Sequence, residues 1–405
     1  MVGDRRALYA ASMFHLTNDG AVTVMAGEIT LIQAGLNFGL GATGLLTAVA
    51  LGTTVVFQVL FGRMADARDP ARFLAIGIAW LGVGTLLIAA ADGFGAFLVL
   101  VAISRVGAAF YHPVGISLVG REFSGADLDR SMGFQSSFGD AGVILGVATA
   151  GVIGVASGNW RTAFLVWGGV NLAAAVVGLA LVRHRPRPPR AARRTFRGYR
   201  DVMRSVRLWA LPLAIGGAAF TIVTTYGTIL LRSERFGFPL SAAEASLTIA
   251  AWIAVGSVAA FFFGRISRRF GRYRVLLAAY AGLVVTGIVS GSVGGPVGLV
   301  AMLLSLWTIG SLLFLTYPAL FSFISENSQA ESQGTTFGVI FGFQLVGGAV
   351  LGWAAGWLAE RLSDNPAIPF LVMAAASAAA FLYLLAIRTL VAEAPGSPEP
   401  APLPR

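Results

Sequence analysis

Apolar residues along this chain run in long blocks, without the strict alternation expected of membrane-barrel strands. A block of roughly 20 such residues is long enough to cross a bilayer as a helix. Blocks of this kind fall at 8–34, 41–62, 73–91, 94–119, 131–156, 161–182, 208–231, 242–263, 275–293, 297–324, 334–358 and 367–387, which makes twelve. Long, Gly-rich, non-alternating spans satisfy their backbone groups as helices. The pattern therefore predicts an all-α polytopic membrane protein.

Polar positions interrupt the blocks unevenly. His15, Asp19, Glu28, Arg105, His112 and Asp140 lie inside apolar stretches of the first half. From Val275 to Ser325 there is no charge at all. An ionisable group at membrane depth is costly unless it is paired, hydrated or functional. The longest polar stretch, 183–207, carries ten arginines and several prolines, and it falls between the sixth and seventh spans. The sequence thus divides into a six-helix bundle at 1–182, a linker at 183–207, a second bundle at 208–391 and a Pro-rich tail at 392–405. An internal repeat supports the division. Phe61-Gly62-Arg63 recurs as Phe263-Gly264-Arg265, an offset of 202, and Pro113, Ser117, Gly133, Phe138 and Gly142 recur as Pro318, Ser322, Gly338, Phe343 and Gly347, an offset of 205.

Composition agrees with the pattern. Hydrophobic residues make up 56% and charged residues 12%, against about 25% charged in a typical soluble domain. Mean hydropathy is +0.77. All 29 basic residues are Arg and the net charge is +10. That charge sits in short loops, as membrane topology predicts, which argues against nucleic acid as a partner. The loops on one side hold Arg5, Arg6, Arg63, Arg68, Arg72, Arg121, Arg130, the linker arginines and Arg265, Arg268, Arg269, Arg272 and Arg274. The other side holds Arg161, Arg232, Arg235 and Arg361. Both termini are therefore expected in the cytoplasm of a cell-membrane protein, with the basic face available to anionic lipids. There is no cysteine, so thiolate metal sites and a Cys nucleophile are excluded. No phosphate-binding Gly-x-x-x-x-Gly-Lys-Ser/Thr loop appears, so ATP is not the expected energy source. No catalytic triad spacing, resident cofactor or metal site is expected.

Four local motifs resemble the major facilitator superfamily. Gly62-Arg-Met-Ala-Asp66-Ala-Arg68-Asp-Pro-Ala-Arg72 is similar to its loop motif after the second helix, and Gly264-Arg-Ile-Ser-Arg268-Arg269-Phe-Gly271-Arg272 is the second copy, with Arg268 in place of the acid. Arg105 with Gly107 resembles the fourth-helix Arg of proton-coupled members. Gly139, Gly142 and Gly146 match the spacing of the fifth-helix antiporter motif, without its Gly-Pro pair. His15-Leu-Thr-Asn18-Asp19 and Phe110-Tyr111-His112-Pro113-Val-Gly115 look like the fosmidomycin-resistance type of efflux protein. The resemblance implies two pseudo-symmetric six-helix halves with a substrate site between them near mid-membrane. It also implies a conformational gate at Gly62, Asp66, Arg68, Arg72, Gly264, Arg268 and Arg272, where acid–Arg pairs near helix ends lock one state.

The buried residues are the candidates for proton coupling. His15 and Asp19 lie four apart, on one helix face about 6 Å apart along the axis. Such a pair can take up and release a proton near neutral pH. Arg105 stays charged, so it is expected either as a counter-ion for Asp19 or Asp140 or as a binding group for an anionic substrate. His112 lies two turns beyond it. Asp140 lies about 13 Å into its span. Glu28 is either a proton entry group or an interfacial structural acid. Pro113 and its copy Pro318 are expected to break their helices at matching points. Candidate substrate contacts are Asn18, Arg105, Tyr111 and Gln135 in the first half and Thr224, Tyr226, Trp307, Tyr317 and Gln344 in the second. The expected function is a monomeric, proton-coupled antiporter that exports a small drug-like or anionic molecule. A proton symporter importing an organic acid, and a non-transporting membrane receptor, are the alternatives.

Overall fold

The computed structural model describes residues 4–65, 68–123, 125–182, 202–204, 206–236, 238, 240–292, 295–326 and 333–392. The linker at 183–207 therefore lies mostly, and the tail at 393–405 wholly, outside the described residues. The first half folds as α1 (Arg5–Leu36), α2 (Leu40–Ala65), α3 (Pro70–Ile88), α4 (Phe94–Ala108), α5 (Tyr111–Glu122), α6 (Gly125–Ser157) and α7 (Arg161–Val182). The second half folds as α8 (Ala210–Leu231), α9 (Ala242–Phe261), α10 (Phe263–Phe270), α11 (Arg272–Ser292), α12 (Gly295–Glu326), α13 (Gln333–Arg361) and α14 (Ile368–Ala392). Among the described residues, eleven helices have the length and apolarity to cross a membrane. The twelfth is α1, in which His15, Asn18, Asp19, Glu28 and Gln33 dilute the apolar run.

Local chemistry sets the helix ends. Asp4 caps α1 by accepting from the Arg6 N–H at 2.9 Å, and Asn37 closes it in a left-handed conformation with φ 51°. Asp69 caps α3 ahead of Pro70 at the first helical position. Ser241 and Glu244 form a reciprocal capping box on α9.

The two halves repeat one packing scheme. α1 lies on α6 as α8 lies on α13, and α3 packs on α4 and α7 as α11 packs on α12 and α14. The halves meet along two seams, α2 against α13 and α6 against α9. Both seams are tight at the end where α1 finishes. A Cβ on Gly44 of α2 would lie 2.8 Å from the Trp353 carbonyl oxygen of α13, and one on Gly151 of α6 would lie 3.0 Å from the Ala242 carbonyl oxygen of α9. Toward the end where α1 begins, α5 still touches α13, but the seams loosen. Gly133 of α6 and Gly338 and Gly342 of α13 would meet nothing within 4 Å. The cavity between the halves is thus closed at one end and open at the other.

The proline expectation is half corrected. The fourth span does break, but at Ala109–Phe110, just before Pro113. Pro113 lacks the N–H that would bond to the Ala109 carbonyl, and its ring crowds that oxygen. Phe110 fills the break, with its ring 3.8 Å from Phe61 and 4.8 Å from Phe73. Pro318 breaks nothing, because α12 runs through it. Its neighbours Leu313, Phe314, Thr316, Ala319 and Leu320 are all buried, so tertiary packing holds that helix continuous.

Candidate functional site

The site is built on the contact between α1 and α6, which glycines make close. A Cβ on Gly142 would lie 2.9 Å from Leu16 Cα, and one on Gly146 would lie 2.8 Å from Gly20 Cα. Gly139 sits directly under the His15 ring. Small residues at this spacing let two backbones approach, here bringing the His15 side chain onto the α6 backbone.

His15 Nδ1 lies 2.8 Å from the Gln135 carbonyl oxygen. A carbonyl only accepts, so Nδ1 carries a hydrogen and Nε2 is left facing Asp19. Nε2 and Asp19 Oδ2 are 3.2 Å apart, and the other Asp19 oxygen accepts from Asn18 Nδ2 at 2.8 Å. The contact therefore holds one proton, either on the imidazolium or on the carboxylic acid. Removing it turns a lone pair toward a carboxylate. Tyr111 stacks on His15 at 4.2 Å, and its hydroxyl donates to Gln135 Oε1 at 2.6 Å. Gln135 thus holds both rings, while its Nε2 donates to Ser136 Oγ at 3.1 Å. His112 stands edge-on to His15 at 5.6 Å and stacks on Phe341 of α13 at 4.9 Å, joining the two halves.

Asp140, one turn beyond Gln135, is exposed yet surrounded by both halves. It lies beside Ser257 of α9, outside hydrogen-bond geometry, and within electrostatic reach of His15, Asp19 and Tyr317. From Tyr317 a chain of half-buried rings lines the second half. Tyr317 stacks on Phe321 at 6.2 Å, and Phe321 meets Phe337 at 5.8 Å and Phe341 at 6.1 Å.

Several expected roles are corrected. Arg105 pairs with neither Asp19 nor Asp140. Its Nη2 donates to the Val22 carbonyl of α1 at 2.8 Å, and Asp19, within electrostatic reach, contacts His15 and Asn18 instead. Arg105 borders a void of about 10 Å³ inside the first half, walled by Ala21, Val22, Met25, Leu81 and Phe164, so it does not face the central cavity. Glu28 is fully buried with its carboxyl against Gly154 of α6, well away from the dyad. Thr224 spends its hydroxyl on the Phe220 carbonyl of its own helix at 2.8 Å. Tyr226 is fully buried at the closed end and donates to the Gly352 carbonyl at 2.8 Å, so it ties α8 to α13. Trp307 shares the exposed stripe of Val300 and Leu304, seven and three residues before it on the outer face of α12. Tyr317 and Gln344 remain half-buried on the inner side, and the Gln344 backbone packs on Gly217.

At the open end, Asp66 lies outside the described residues. Arg72 meets Asp69 at 3.3 Å and Arg68 stands over Phe73 at 5.0 Å, both within the first half. A Cβ on Gly62 would lie 3.4 Å from Pro113 Cβ. Gly264 and Arg268 stand in the open, whereas Arg272 forms a two-pronged pair with Glu326 at 2.6 and 3.0 Å inside the second half. Each of these contacts lies within one half.

Residues 8–352 match the Major Facilitator Superfamily. The chain belongs to that superfamily. It is 25% identical to the uncharacterized transporter YycB of Bacillus subtilis over 340 residues, 80% of each protein. It is also 25% identical to the fosmidomycin resistance protein of Escherichia coli over 366 residues, 86% of each. The fold of this superfamily member matches the nucleoside transporter NupG with a TM-score of 0.76 at 14% identity, covering 95% of this chain and 98% of that one. A bacterial homolog of the lysosomal transporter Spinster, inward-facing and unoccupied, matches with 0.75 at 18% identity over 97% and 98% of the two chains. The superfamily assignment makes this a multi-pass membrane transporter of small molecules. Sequence reasoning missed Ser257 and the Phe321–Phe341 ring chain, because phenylalanine in an apolar helix carries no signal of facing a cavity.

Proposed function

We propose that the protein is a proton-coupled antiporter that exports a small drug-like molecule, with the His15–Asp19 pair carrying the proton. One observation carries this reading. The Gln135 carbonyl commits Nδ1, so the 3.2 Å contact between Nε2 and Asp19 holds one exchangeable proton next to the central cavity. The arginine bias puts the open end in the cytoplasm, so the form described is inward-open. Substrate enters from inside, the halves rock about the cavity, and outside protons reload the dyad. The likeness to a fosmidomycin resistance protein supports export. The driving force is the proton gradient across the cell membrane, and a monomer suffices because both halves come from one chain. Exposed Arg268 and Arg269 at the cytoplasmic face meet anionic headgroups.

The test is reconstitution into liposomes with a pH dye inside and a panel of cationic, neutral and anionic drug-like probes. A probe that moves protons against its own flux supports antiport. Co-directional flux makes the protein a symporter. Probe flux without proton movement overturns the coupling.

A further inference from the structure

The charges that face the central cavity do not suit an anion. Among the described residues Arg105 is the fixed cation buried in the spans of the first half, and it is held by the Val22 carbonyl of α1 beside a small void, within electrostatic reach of Asp19. Asp140, by contrast, is open to the cavity. The groups within reach of it are His15 and Asp19 on α1 and Tyr317 on α12, while His112 and Tyr111 on α5 face Asp19. α9 presents Ser257 and α13 presents Phe341 and Gln344. His15 is already matched by Asp19, so the Asp140 carboxylate is the countercharge left over. From Tyr317, within electrostatic reach of Asp140, runs a chain of rings, Tyr317, Phe321, Phe337 and Phe341, each half-buried, which ends on His112. Ring faces carry negative charge and attract a desolvated cation. A carboxylate within reach of such a chain is a site for a positively charged aromatic molecule.

Resting on the transport reading above, we propose that the substrate class is an aromatic organic cation, held by Asp140 and the Tyr317–Phe341 ring chain, and that proton and cation compete for Asp140. On binding, the Asp140 O–H bond breaks, the proton leaves to cavity water, and the carboxylate takes the cation as its counter-ion. Reprotonation from outside removes that counter-ion and releases the cation. The dyad proton is a separate one.

The probes are tetraphenylphosphonium and tetraphenylborate, which share shape and size and differ in sign. Equilibrium dialysis against purified full-length protein in detergent, corrected with empty micelles, reads binding directly. Tetraphenylphosphonium is expected to bind, and to bind more weakly at lower pH than at higher pH as protons compete for the carboxylate. Asp140→Asn should cost about tenfold at the higher pH and abolish the pH dependence, while Asp140→Glu restores both. Phe341→Ala should weaken binding and leave the pH dependence intact. Preferred binding of tetraphenylborate, or tetraphenylphosphonium binding that Asp140→Asn leaves unchanged in a folded variant, overturns the proposal. Should the asparagine variant not fold, a pH-independent affinity in the native protein overturns it equally. If anionic probes drive proton exchange in liposomes and the cation does not, this inference fails and the antiport reading stands. If the cation binds through Asp140 yet moves no protons, coupling fails and the cation site stands.

Discussion

Gly142→Ala is the sharpest test of how the helices place the dyad. Its Cβ would fall on the Leu16 carbonyl and 2.9 Å from both the carbonyl carbon and Cα of that residue. Those are backbone atoms of a helix held on several sides, so no side chain can turn aside to make room. Overpacking of this kind costs about 1–3 kcal/mol. The helix-propensity gain of Ala over Gly, at most about 1 kcal/mol, offsets only part of it. Gly133→Ala is the control, because the same helix at Gly133 meets nothing within 4 Å. Thermal unfolding in detergent should show a lower midpoint for Gly142→Ala and an unchanged or raised one for Gly133→Ala. Because His15 reaches Gln135 across this contact, proton-driven flux should fall with the first variant and not with the second. Equal midpoints for the two variants would refute the close α1–α6 contact on which the site rests.

Tyr111→Phe leaves the buried Gln135 Oε1 without its donor, a loss of about 1–3 kcal/mol in stability, and it frees the ring that backs His15. The unfolding midpoint and the pH profile of flux should both move, whereas a change in midpoint alone makes Tyr111 purely structural. Glu28→Gln should keep full proton-driven flux, since that carboxyl sits against Gly154 apart from the dyad. Lost flux in a folded Glu28→Gln protein would make it a coupling acid. Trp307→Ala should leave flux unchanged because the ring lies on the outer stripe of α12, while Tyr317→Ala on the inner side should reduce it.

The twelve spans were legible because bilayer thickness imposes one length on every helix. The repeat was legible where the same residue keeps its place in both halves, as with Gly142 and Gly347, which press on Leu16 and Ala214. The His15–Asp19 pair followed from helical spacing alone. Partners across helices did not follow. Arg105 shares its half with the span acids Asp19, Glu28 and Asp140, yet it bonds to a backbone carbonyl, which leaves no trace in side-chain identities. Pro113 and Pro318 occupy matching positions, and only packing decides which one accompanies a break. Trp307 and Tyr317 are alike in chemistry, and their ten-residue separation places them on different faces.

The most direct test of proton coupling through the dyad compares two fluxes in liposomes carrying the Asp19→Asn variant. Asparagine keeps the size of the side chain and removes its proton chemistry. Uptake of a transported probe against a pH gradient should be lost, while exchange of labelled for unlabelled probe, which needs no net proton movement, should persist. Full gradient-driven uptake by a folded Asp19→Asn protein would contradict the account.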